Sequence, residues 1–398
     1  MKPTTQICFP ATPLGKDAAP PVYNRGLHRV ALLTTMATFP LIFMGGLVTS
    51  KQAGMSVPDW PNSFGYNMFL FPPSQWVGGI FYEHTHRLMG TVVGMLSIVL
   101  CVWAWRTDAR RYVRWLCTLV LAGVIVQGVL GGLRVVLVQI DLAIVHACLA
   151  QAFFCLAAAT AVATSRWWTE VGADPTPLCV ERSFRVVGRI ALLAVAVIYL
   201  QLVVGAIMRH NHAGLALTDL PTSNGARWLP PTTKAELMRM NARRVFRYDL
   251  DAVSMGQVWV HFAHRVGAVL VALFTLLLVL LVALRHRHFG KLLAPALLLL
   301  ALVAGQVTLG LYTVMLRKPA DVASAHVAVG ALVLLTTFVL AVRAGRLAHL
   351  QARAADAHRH AVRRNASSPP PPPPPAPPAP PRDDRDDREN QSLNPQFA

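Results

Sequence analysis

Four histidines recur at related places along the chain, His86 and His146 in its first half, His264 and His326 in its second. Each lies near the start of a long apolar stretch, and about sixty residues separate the members of each pair. His86 and His264 are each followed by an arginine, Arg87 and Arg265, and a glutamine, Gln127 or Gln306, precedes the later histidine of each pair. Neutral imidazole is a ligand of haem iron, and helices with inward-facing histidines are a common frame for it. A lone intramembrane histidine fits equally well as a core residue bonded to a neighbouring helix. Packing alone gives no reason to keep such a pair twice, so the repetition points to two haem-clamping sites.

The two halves are not equal. Three residues before His86 stands Glu83, whereas three residues before His264 stands His261, and a residue three back shares the helix face. A carboxylate near an iron face can move protons or stabilise a cationic intermediate, which assigns reactivity to the first half and electron transfer to the second. Glu83 also fits as a cap of its helix or a partner of Arg87. Arg87 and Arg265 are costly at this depth unless paired; a haem propionate and snorkelling to the headgroups are both open to them. His84, two residues from His86, points to another helix face, and His210 and His212 are expected in solvent. The six cysteines show no metal-ligand spacing and read as small buried thiols.

Such sites need elements to hold them at one depth. The chain has 398 residues, 54% hydrophobic and 14% charged, too apolar for an ordinary soluble domain. Stretches of spanning length run over 28–49, 78–105, 113–138, 142–164, 184–208, 256–284, 292–316 and 322–342. The segment from Ala53 to Gly65 aligns without gaps to Ala213–Gly225, identical at six of thirteen positions, so helices 1 to 4 repeat as helices 5 to 8. The expected fold is all-α, a polytopic membrane protein of two repeat-related four-helix bundles. At about 1.5 Å per residue, all four histidines fall roughly 10 Å inside one boundary. The net charge of +18 comes from short basic runs between spans, not one aromatic-interleaved patch, so nucleic acid is not a partner. Those runs put both termini in the cytoplasm of an inner-membrane protein; the basic 209–255 loop is an exception, since long loops cross regardless of charge. The divisions are 1–26 as a cytoplasmic segment, 27–165 and 184–345 as the two halves, 166–183 as a linker, and 346–398 as a disordered tail with a polyproline run from Pro369.

With these residues in place, the chain resembles the haem A synthase family. The resemblance is carried by Gly45-Gly46-Leu47-Val48-Thr49, Ala53-Gly54, Pro58-Asp59-Trp60-Pro61, Glu83-His84-Thr85-His86-Arg87, His146, His264-Arg265 and His326, over about 27–342. It implies an enzyme that oxidises a methyl group of haem O to the formyl group of haem A for cytochrome oxidase. It further implies that His86 and His146 flank the substrate haem, that Glu83 is needed for the reaction, and that His264 and His326 hold a resident haem b. Haem O synthase and the cytochrome oxidase assembly pathway are the implied partners, with membrane quinol as an electron donor and a homo-oligomer left open. Many members carry a cysteine pair in the first outer loop; here 50–77 contains no cysteine, so a thiol relay is not expected. The rival reading is a di-haem cytochrome that only transfers electrons.

Overall fold

The computed structural model describes residues 23–171, 184–223 and 228–367. Ten α-helices make up the described chain: α1 Arg25–Ser50, α2 Gly78–Thr107, α3 Arg111–Leu137, α4 Ile140–Thr164, α5 Arg166–Glu170, α6 Phe184–His210, α7 Lys234–Tyr248, α8 Met255–Arg285, α9 Gly290–Met315 and α10 Ala320–Ser367. No β-strand forms among the described residues. Eight helices are long and apolar enough to cross a membrane: α1 to α4, α6, α8, α9, and α10 over Ala320–Asp356. In lipid every backbone group must be satisfied internally, which helices achieve. Hydroxyls within the spans follow the same rule, as Thr34, Thr38, Ser97, Thr160 and Thr337 each donate to the carbonyl four residues back.

In the first half, α1 packs on α2, α2 on α3, α3 on α4, and α4 returns to α1. Its core gathers at one end, around Leu27, Ala31, Leu100, Ala104, Val113, Cys117 and Val120. The second half builds its core from Phe184, Leu278, Leu292, Leu299, Leu334 and Leu340, drawn from α6, α8, α9 and α10. In both halves the histidines stand toward the other end. Ile42, Phe154 and Ala331 pack where the halves meet, and Tyr199 donates to the Cys148 carbonyl at 3.2 Å.

Arg209, at the end of α6, ties the halves together. It donates to the Gly46 carbonyl at 2.5 Å, to Ser50 Oγ at 2.6 Å and to the Ala323 carbonyl at 3.4 Å. Both halves belong to one compact unit ending at Ala355, and a second unit begins at Asp356. The last helix runs past the 346 boundary expected from composition and ends at Ser367. The polyproline run, most of the N-terminal segment, most of the 166–183 linker and the Asn224-Gly225 end of the repeat lie outside the described residues.

Candidate functional site

At the end of the bundle away from the packed cores lies a cavity of about 1460 Å³, lined by His86, His146, His264 and His326 together. Each histidine rests on a glycine of a neighbouring helix. A Cβ at Gly45 would sit 3.0 Å from His86 Cε1, at Gly205 3.0 Å from His264 Cε1, at Gly131 3.4 Å from His146 Cε1, and at Gly310 3.1 Å from His326 Cε1. At Gly45, Gly205 and Gly310 such a Cβ contact would be tighter than ordinary packing, while at Gly131 it would be close to an ordinary contact.

In the second half, the His264 and His326 rings stand edge-on to one another, with centroids 6.3 Å apart and planes inclined by 66°. Imidazole nitrogen bonds a metal at about 2.0–2.1 Å, so the gap suits one metal atom between the rings. Gln201 Nε2 lies 3.0 Å from His264 Nδ1, and His326 Nδ1 lies 3.1 Å from the Gln306 carbonyl. Such partners orient a ligating ring through its other nitrogen. In the first half Gln127, with its amide turned to satisfy its neighbours, donates to His146 Nδ1 at 2.9 Å. His86 Nδ1 is buried with no hydrogen-bond partner among the described residues. No three His, Cys, Asp or Glu side chains converge to hold a metal among the described residues. Gln306 Nε2 also lies 3.3 Å from His326 Nε2, on the side that would face a metal. A pair of imidazoles is half of a protein-only site, but it completes a macrocycle that brings four in-plane nitrogens of its own. The paired donors, the glycine seats and the cavity therefore fit a haem in each half.

The loops that follow α1 and α6 are held by a repeated arginine clamp. Arg87 donates from Nη1 to the Asp59 and Asn62 carbonyls at 2.7 and 2.9 Å, and from Nη2 to the Val57 carbonyl at 2.8 Å. Arg265 repeats this on the Asp219, Thr222 and Leu217 carbonyls at 2.8, 3.0 and 2.9 Å. The remaining Nη2 bond of Arg87 goes to Glu83 Oε1 at 2.9 Å. These arginines line the cavity, yet their forked ends grip loop backbone where a propionate was one of the expected partners. Asp59 caps the same loop by accepting from the Phe64 and Gly65 amides at 2.7 and 2.8 Å. Burial pushes the Asp59 carboxyl up, but those amides and Arg87 outweigh it and hold it below its ordinary range.

Glu83 is buried, lines the cavity and accepts from the Val57 amide at 2.9 Å. His261 occupies the matching place and accepts from the Leu217 amide at 3.2 Å. The cavity wall is asymmetric in a second way. Gly90 and Gly128 line it in the first half with open space before them, whereas the repeat puts Ala268 and Val307 at those positions in the second.

His84 is turned away as expected, buried against Phe71 and Trp76 with Nδ1 3.2 Å from Ser63 Oγ. His210 differs from expectation, being half-buried at the end of α6 and lining the cavity; His212 lines the mouth while remaining exposed. Gln201 was missed, because the repeat puts Leu41 at its first-half position. Helix α7 was missed as well, although its capping box, Thr233 with Glu236, was readable. The described cysteines Cys101, Cys117, Cys148 and Cys155 are free; Cys8 and Cys179 lie outside the described residues.

Residues 28–339 match the sequence model of a family described as cytochrome oxidase assembly protein. Similar curated proteins carry the name "Heme A synthase". One from Shouchella clausii is 28% identical over 299 residues, covering 73% of this chain and 88% of its own length. One from Halalkalibacterium halodurans is 27% identical over 308 residues, with 76% and 92% covered. One from Caulobacter vibrioides is 28% identical over 351 residues, with 77% and 92% covered.

Proposed function

The chain belongs to the cytochrome oxidase assembly protein family, and we propose that it is a haem A synthase, oxidising a methyl group of haem O to the formyl group of haem A. The observation that carries this reading is one cavity with two histidine pairs and a carboxylate, Glu83, beside only one of them. The similarity to proteins named for haem A synthesis supports it over a cytochrome that only transfers electrons.

His86 and His146 bind and orient the substrate haem O in the first half. His264 and His326 hold a resident haem b, with Gln201 and Gln306 fixing their rings. Bound haem iron supplies the oxygen and electron chemistry. Glu83 holds or moves a proton at its Oε atoms as the methyl carbon is oxidised, and Arg87 keeps that carboxylate aimed at the site. The packed apolar core below the cavity excludes water from one side, and the clamped outer loops cover the other. Methyl to formyl takes four electrons from the carbon; with two dioxygen molecules as the oxidant, four further electrons and four protons complete the balance to formyl and three waters, and membrane quinol would supply them by way of the second site.

Haem O synthase supplies the substrate and cytochrome oxidase receives the product. The chain sits in the cytoplasmic (inner) membrane with both termini cytoplasmic and both sites near the outer face. Coexpression with a haem O synthase in a host lacking haem A, followed by chromatography and mass measurement of extracted haems, tests the activity. Haem A is expected; unaltered haem O beside abundant, folded protein would refute it.

A further inference from the structure

The cavity wall carries Arg87, Arg134, Arg209, Arg265 and Lys318, and its one carboxylate among the described residues, Glu83, is bound by Arg87. So many cations in an apolar cavity call for an anionic ligand. Three are already committed. Arg87 and Arg265 hold the outer loops, and Arg209 bridges the halves.

Arg134 and Lys318 differ. Arg134 stands three residues beyond Gly131, the seat of His146. Its Nη2 donates to the Gly54 carbonyl at 3.0 Å, and its other N–H groups have no acceptor among the described residues. The guanidinium lies so close over Gly54 that any Cβ there would collide with it. Gly214 is the repeat partner of Gly54, and over it lies Lys318, its Cδ 3.6 Å from where a Cβ would stand. The Lys318 ammonium has no acceptor among the described residues, and burial, then Arg209, hold it below its ordinary pKa. The two halves thus each lay one uncommitted cation across the glycine of the repeated Ala-Gly and into the cavity.

We propose that Arg134 and Lys318 are the carboxylate anchors of the two sites, Arg134 gripping a propionate of the substrate haem in the first half and Lys318 a propionate of the resident haem in the second. The assignment rests on the first half being the substrate site. A guanidinium fork matches a carboxylate and, poorly hydrated, releases its water readily; an ammonium grips as a point charge.

The test compares haem O with its propionate dimethyl ester, each titrated into the detergent-solubilised full chain carrying its resident haem. A charge-assisted bond in this setting is worth about 10–100-fold in affinity. Wild type should bind the ester about 10–100-fold more weakly than the free acid. That ratio should collapse to about one in Arg134→Gln and survive in Arg134→Lys, which keeps a cation and guards against a folding artefact. Lys318→Gln should speed transfer of resident haem to apomyoglobin about tenfold. Equal ester ratios in wild type and Arg134→Gln, as expected if Arg134 instead meets a lipid phosphate, would overturn the Arg134 assignment alone. An unchanged transfer rate would overturn that of Lys318. Failure of haem O to bind wild type at all would overturn the first-site reading itself.

Discussion

Glu83 and His261 hold the same position in the two halves and accept the same backbone hydrogen bond, from the Val57 amide at 2.9 Å and the Leu217 amide at 3.2 Å. Their loop-holding role is therefore shared, and what Glu83 adds is a carboxyl group bonded to Arg87, three residues from His86. The two contributions separate by substitution. Glu83→Gln keeps an acceptor for Val57 but cannot serve as a base, so haem A formation should fall about 10²–10⁴-fold while resident haem content stays the same. Extracted haem composition together with the visible spectrum of the purified variant checks this. Retained haem A would remove Glu83 from the chemistry.

The glycine seats predict site-specific losses. Gly45→Val pushes side-chain carbon into His86, and Gly205→Val does so to His264. The first should abolish binding of added haem O and leave resident haem in place; the second should deplete resident haem. Haem titration and pyridine haemochrome content of the two variants distinguish them, and equal losses at both sites in either would contradict independent seating.

Gln201 contacts only the second-half ring. Gln201→Leu, which copies the first-half residue Leu41, should weaken resident haem binding about 10–100-fold, the usual cost of losing an orienting partner. The rate of haem loss to apomyoglobin measures it.

Arg209 predicts a stability effect. Arg209→Met leaves the Gly46 and Ala323 carbonyls short of a donor between the halves and should cost about 1–3 kcal/mol, read as a lower midpoint for thermal loss of the protein's near-ultraviolet dichroism. No change in midpoint would show that the bridge is replaceable.

Asp59 predicts a pH effect of known sign. Its folded pKa lies below the unfolded value of about 3.9, so the ionised group contributes stability at neutral pH that is lost as pH falls through the folded pKa. Trp60, the next residue in the loop, should keep its fluorescence from about pH 7 to about pH 5 and change only in more acid solution; Asp59→Asn should remove that acid step. A transition of the wild type near neutral pH would be contrary to this.

The eight spans were legible because apolarity over a whole span is a strong signal, and each observed end lies within a few residues of its expected place, apart from α10. The histidine pairs were legible because the repeat marks them. The partners of Arg87 and Arg265 were not, since three carbonyls converge only once the loop before each helix has folded back over it. Gln201 and Arg209 were hidden for the opposite reason. They break the repeat, facing Leu41 and Thr49 at their first-half positions, so comparing the halves passes over them. Arg134 carries no signal in the repeat either, since Thr313 stands at its second-half position, and only the fold lays its fork over Gly54.

The central claim is a division of labour, with substrate haem between His86 and His146 and resident haem between His264 and His326. The most direct measurement is the haem content of His146→Ala and His326→Ala, each coexpressed with haem O synthase and extracted after purification. The account predicts that His146→Ala loses haem O and haem A while retaining haem b, and that His326→Ala loses haem b. Loss of haem b from His146→Ala, or its retention in His326→Ala, would contradict it.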